Sequence, residues 1–171
     1  MRKKIVFVIP FNNRHSSPSG GDPGWIRRRL GIFMRYTLRS LMKQDSQRFQ
    51  AFVLIRPDSE PLIREELAKY PPLPRHVAFV TKAEYERKTA EAVRGFDLLY
   101  EANLESDDMY HRSFIRLLED HVPKKLPFML IPQHGYAYDS VHNRLAQFFF
   151  WAPSFLTAVH PVDDWLAGRR I

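Results

Sequence analysis

Ile5-Val6-Phe7-Val8-Ile9 constrains this chain more than any other stretch. It is a continuous, β-branched apolar run closed by Pro10. A half-buried strand alternates apolar and polar residues, so a short run with no polar break belongs to a strand covered on both faces, as in a parallel sheet. The rest of the chain must therefore supply helices for two faces, and its pattern does so. Apolar residues at Ile26, Leu30, Phe33, Met34, Leu38, Leu41 and Met42 have helical spacing across 25–44. A second strand follows at 49–55. Asp58-Ser59-Glu60-Pro61 opens a helix that runs to about residue 70 and is broken by Pro71-Pro72-Leu73-Pro74. A third strand at 77–80 leads into the capping box Thr81-Lys82-Ala83-Glu84, which starts a helix ending near Gly95. Phe96 begins a fourth strand, which runs into Glu105-Ser106-Asp107-Asp108, and helical spacing returns over 109–121.

Strand and helix thus alternate over roughly the first 120 residues. This pattern implies right-handed crossovers and a parallel sheet with helices on both faces. After Pro123 strands are expected at 128–131, 135–139 and 145–151, antiparallel and rich in aromatic residues, with most of these rings in the core. A short helix near 163–169 closes the chain. The 171 residues suffice for one domain with its own core, divided at about residue 122 into a parallel half and an aromatic half.

Composition narrows the partners. No apolar run reaches the length of a membrane span. The start, Met1-Arg2-Lys3-Lys4 before Ile5, lacks the apolar length of a signal peptide. The chain has no cysteine, which excludes disulfides and thiolate metal sites and fits a reducing cytoplasm. A formal net charge of +7 favours a polyanionic partner: phosphates, an anionic membrane face or nucleic acid. The aromatic and basic interleaving of a nucleic-acid module is missing. Arg27, Arg28, Arg29, Arg35, Arg39 and Lys43 make the first helix basic, either as a solvated face or as a contact for an anionic membrane.

In sheets of this kind ligands bind beyond the carboxyl ends of the strands. Those ends are Pro10-Phe11-Asn12-Asn13-Arg14, Arg56-Pro57-Asp58-Ser59 and Glu105-Ser106-Asp107-Asp108. Three carboxylates within four residues repel one another. They either face water in the first turn of a helix, which welcomes negative charge, or share a cation. Asp58 is likewise a candidate helix cap, and Arg14 a candidate solvated loop residue.

Three motifs resemble the GT-A glycosyltransferases. Ile5 to Asn12 is similar to the opening strand of that family. Leu54-Ile55-Arg56-Pro57-Asp58-Ser59 stands where it carries an acidic turn against the base, and Glu105-Ser106-Asp107-Asp108 resembles its metal motif. Tyr36-Thr37-Leu38-Arg39-Ser40-Leu41-Met42-Lys43-Gln44 and Gly135-Tyr136-Ala137-Tyr138-Asp139 resemble the bacterial rhamnosyltransferase group. Glu105 departs from the usual first Asp, and the acidic turn lacks its glycine.

The resemblance implies an α/β GT-A fold, a nucleotide-diphosphate sugar donor and a saccharide or lipid-linked acceptor. It also implies a Mn2+ or Mg2+ cofactor and a cytoplasmic site of action at the inner membrane face. Pro10, Asn12, Arg14, Asp58 and Glu105 would contact the nucleotide. Asp107 would be the direct metal ligand, with Asp108 and Glu105 beside it. Val162-Asp163-Asp164-Trp165-Leu166 with Arg169 resembles the motif that supplies the general base, so Asp164 or Asp163 would deprotonate the acceptor. As a pair of acids in the first turn of a helix they need no such role. A domain of the same fold that binds nucleotide without turnover, and a basic nucleic-acid-binding protein, are the competing classes.

Overall fold

The computed structural model describes residues 1–13 and 21–171. A six-stranded sheet in the order β3-β2-β1-β4-β8-β5 forms the centre. The strands β1 (Lys3–Pro10), β2 (Gln50–Leu54), β3 (Val77–Val80) and β4 (Leu98–Asn103) are all parallel. The strand β8 (Thr157–Pro161) runs antiparallel to β4, and β5 (Phe128–Leu130) antiparallel to β8. The expected mostly parallel sheet flanked by helices is thus present.

Strand β1 is buried on both faces, and successive residues face opposite cores. Ile5, Phe7 and Ile9 pack with Ile26, Leu30, Phe33 and Leu41 of the first helix, Ile63 of α3 (Glu60–Leu67) and Ile115 of α5 (Phe114–Asp120). Val6 packs on the other face with Tyr85 of α4 (Lys82–Ala92) and Trp165 of α6 (Val162–Leu166). The helix expected over 25–44 is one continuous rod with a slip in it: α1 (Pro23–Ile32), a π-helical turn at Phe33–Thr37, and α2 (Leu38–Met42). The N–H of Leu38 reaches back to the carbonyl of Phe33, one residue beyond the α pattern. The slip keeps Phe33, Thr37 and Leu41 buried and leaves Met42 exposed. The Thr81–Glu84 capping box forms as the sequence implied, with reciprocal side-chain and backbone bonds.

Three expectations are corrected. Helix α5 begins at Phe114, not near 109, because Tyr110 stacks on Phe114 at 3.6 Å and its hydroxyl donates to the Asn103 carbonyl at 2.9 Å, holding that segment off a helical path. Strand β8 was not anticipated, and it places part of the aromatic half inside the main sheet. The rings of β6 (His134–Asp139) and β7 (Arg144–Phe149) are mostly not core. These strands form a separate two-stranded sheet in which Tyr136, Leu145 and Phe149 are exposed, as are Phe150 and Trp151 just beyond it.

Glu101 ties the second face together. Tyr85 donates to Glu101 Oε1 at 2.6 Å and Trp165 Nε1 to Oε2 at 3.0 Å, so one carboxylate on β4 fixes both α4 and α6. Burial and the adjacent carboxylate push the Tyr85 hydroxyl pKa far up, so it stays a donor. Replacing Glu101 with Ala leaves two donors unsatisfied, and chemical denaturation should report a loss of about 2–5 kcal/mol. An unchanged midpoint would show that the carboxylate contributes nothing to this face.

Candidate functional site at the carboxyl edge of the sheet

The chain leaves β1 toward β2 on one side and returns to pair β4 on the other, so strand order reverses at β1. A crevice opens at such a point beyond the carboxyl ends. Register places Pro10 beside Leu54 and Val8 beside Asn103, so the segments after β1, β2 and β4 emerge at one edge. Pro10 and Asn12, Asp58, and Glu105 to Asp108 therefore share that edge, as the sequence implied. Arg14 lies outside the described residues.

On the β2 side, the side chain of Asn12 is buried and its Oδ1 accepts the backbone N–H of Arg56 at 3.0 Å. This bond locks the β1 exit to the β2 exit. Arg56 forks onto Asp58, with Nε to Oδ1 at 3.0 Å, and this guanidinium holds the Asp58 carboxyl below its usual range. Asp58 also accepts from the Ser59 hydroxyl at 3.2 Å, next to the start of α3, whose N-cap is Ser59. The neighbouring Asn13 keeps its side-chain oxygen buried with no hydrogen-bond partner among the described residues.

On the β4 side, the acids are not in the first turn of a helix. Helix α5 starts six residues after Asp108, which removes the capping explanation. A different partner compensates Asp107. Arg29 of α1 donates through Nη1 and Nη2 to the two oxygens of Asp107 at 2.7 and 2.9 Å, and through Nε to Ser106 Oγ at 2.8 Å. Three of the five guanidinium N–H donors are used, and two remain. Ser106 is fully buried, which fixes the base of this fork. Neither Arg29 nor Ser106 was singled out as a site residue from sequence. Nothing local marks a bond that spans 78 residues.

Asp108 is half-buried, and burial together with the charges of Asp107 and Glu105 pushes its pKa up to about 6. Negative charge is thus crowded at this loop beyond what Arg29 relieves. Among the described residues no group of three His, Cys, Asp or Glu side chains is placed to hold a metal ion. Hard oxygen donors from one or two carboxylates nonetheless suit Mg2+ or Mn2+, which take their remaining ligands from water and phosphate.

Asp163 and Asp164 do not join this site. Because β8 runs antiparallel to β4, its end at Pro161 lies beside Leu98, the start of β4, and Val162 N–H bonds the Asp97 carbonyl. Both acids sit in the first turn of α6 at the opposite edge, about 17 Å of strand away. Asp164 accepts from Arg169 Nε at 3.0 Å. The base role expected of them is withdrawn. Two histidines lie outside this edge with carboxylate neighbours of their own: His142 pairs with Asp139 in the hairpin, and His160 is buried beside Glu101.

No protein-family model matches the sequence, and no curated protein does. Among solved structures the chain is similar to the 4-diphosphocytidyl-2C-methyl-D-erythritol synthase of Anaerococcus prevotii DSM 20548. The two are 14% identical, with 96% of this chain and 73% of that one covered and a TM-score of 0.45. A likeness that loose brings no activity across.

The Asp108 shift has a testable consequence. Its folded-state pKa lies above the ordinary 3.8, so the folded state holds the proton more tightly than the unfolded state. Stability is therefore lost as pH rises from about 4 to about 6. Asp108→Asn should raise Tm at pH 7.5 by about 2–4 °C, and the gain should shrink as pH falls toward 4. A gain of equal size at both pH values would reject the charge explanation.

Proposed function

We propose that the carboxyl-edge crevice binds a nucleoside diphosphate group and that the chain is a transferase acting on a nucleotide-diphosphate sugar. The observation that carries this reading is the placement of Arg29. Its guanidinium is pinned by Ser106 and Asp107 at the switch point, with two donors left for an anion. A planar fork of this kind matches phosphate oxygens, and holding it in place beforehand lowers the entropic cost of binding. The Asn12–Arg56–Asp58 set, across the same crevice, supplies a carboxylate of lowered pKa for ribose or base N–H and O–H donors.

Sugar transfer from such a donor leaves a diphosphate, whose charge must be balanced as the glycosidic bond breaks. Arg29 would meet part of that charge. A divalent cation held by Asp108, with Asp107 and Glu105 beside it, would supply Lewis-acid neutralisation when bound. In this reading Asp107 chiefly anchors Arg29, and Asp108 is the carboxylate open to a cation. Glycosyl transfer in particular rests on the motif resemblance at 5–12, 54–59 and 105–108. A saccharide or lipid-linked hydroxyl is the proposed acceptor. Asp163 and Asp164 take no part.

Thermal shift with UDP, GDP and dTDP, each with and without Mn2+, tests the reading. A ligand at a hundredfold excess over its Kd adds about 2.7 kcal/mol, or about 5–10 °C in Tm. At least one nucleotide should reach that range, and Arg29→Gln and Asp107→Asn should abolish the shift with the unliganded Tm changed by less. Asp164→Asn should leave it intact. Failure of every nucleotide to move Tm, with and without Mn2+, would overturn the proposal.

A further inference from the structure

The β6–β7 hairpin and the basic face of the first helix lie against each other. A two-stranded sheet alone is marginal in water, and here no third strand pairs with it among the described residues. Register puts Tyr136, Tyr138, Leu145 and Phe149 on one face of the ribbon. At the strand exit Trp151, 81% exposed, packs on Phe149 and continues this face, while exposed Phe150 packs on Phe148 of the other face, and the turn adds Val141, 83% exposed. This is a large apolar and aromatic surface to leave in water.

The ribbon touches the helix where Tyr138 packs edge-on to Tyr36 at 6.3 Å. Around that contact lies an open hollow of about 360 Å³, lined by Arg35, Tyr36, Arg39, Lys43, Met109 and Tyr138. Between residues 23 and 44 the chain has no acid. Arg35, Arg39 and Lys43 are exposed and make no ion pair among the described residues, whereas Arg27 and Arg29 are both paired. Three cations without a carboxylate partner thus stand around Tyr36 and Tyr138, and through Tyr138 they adjoin the aromatic face of the ribbon.

We propose that this surface docks on an anionic lipid bilayer. The rings suit the headgroup boundary, where an aromatic body is buried and its polar edge stays wet, and the cations suit the lipid phosphates and carboxylates above it. A protein partner would answer the apolar ribbon but needs matched acids for the hollow. Nucleic acid would answer the cations but leaves the aliphatic Leu145 and Val141 uncovered. No helix among the described residues is long and apolar enough to cross a membrane, so the contact is peripheral. Met109 follows Asp108 directly in the chain, so the docking surface begins next to the candidate site. The inference is independent of nucleotide binding.

The test is co-sedimentation of the whole chain with vesicles of phosphatidylcholine alone or mixed equally with phosphatidylserine, and Trp emission on the same samples. Binding should be at least tenfold tighter to the anionic vesicles and weaken with salt. It should fall at least tenfold in Arg35→Glu/Arg39→Glu/Lys43→Glu and in Phe150→Ser/Trp151→Ser. A blue shift of emission should appear with lipid and vanish in Trp151→Phe. All substituted side chains are exposed, so an unchanged Tm verifies that each variant is folded. Absence of anionic preference would overturn the proposal. So would concentration-dependent dimerisation that shields Trp151 without lipid, or binding of duplex DNA through the same residues in place of vesicles.

Discussion

Burial of β1 on both faces is the constraint from which the rest of the fold follows. A strand with no polar residue from Ile5 to Ile9 needs cover above and below, and it needs partners on both edges. Right-handed crossovers supply cover on one face while the sheet grows toward β3, and on the other once the chain returns through α4 to β4. The reversal of strand order at β1 is thus a by-product of covering it twice. So is the crevice, since the loops after β1 and β4 leave in different directions there. The candidate site sits at a place that the core requires for its own reasons.

Within that crevice the Arg29–Asp107 pair reconciles stability with chemistry. Three acids in a loop without helix support repel one another, and burial first, then the charges of Asp107 and Glu105, raises the pKa of Asp108. An exposed ion pair contributes little stability. This one is bidentate, braced by buried Ser106, and partly shielded, since the Arg29 side chain is 23% exposed. Its main effect is orientation: it fixes a guanidinium and a carboxylate at the mouth of the crevice. The same charges that weaken the loop are those a diphosphate with its cation would use. Local cost at a site of this kind is offset by the apolar cores on the two faces of the sheet.

The parallel half was legible because its signals are local. Apolar runs, helical spacing, the Thr81 capping box and the proline break after α3 each act within a few residues. The convergence of Asn12, Asp58 and Asp107 on one edge also followed, since parallel direction alone decides it. What was illegible depends on contacts far apart in sequence. The partner of Asp107 lies 78 residues away, and no window of spacing reports it. Residues 109–113 have helical periodicity, yet the Tyr110 stack and its bond to the Asn103 carbonyl override it. The Phe148-Phe149-Phe150-Trp151 run carries strand propensity and nothing that says which surface covers it. The direction of β8 matters most. Thr157–Pro161 is short, and antiparallel pairing beside β4 is a property of the sheet, so the acids that follow it were placed at the wrong edge.

One helical rod links the two surfaces argued here. Arg29 stands in the last turn of α1, and Arg35, Arg39 and Lys43 follow, Lys43 lying about 21 Å further along at ~1.5 Å per residue. The π turn at Phe33–Thr37 absorbs one residue, so the core stripe continues while the basic side chains remain outside. Within that turn the Thr37 hydroxyl is buried without a hydrogen-bond partner among the described residues. The same helical element therefore carries Arg29 at the crevice and Arg35, Tyr36, Arg39 and Lys43 at the hollow beside Tyr138.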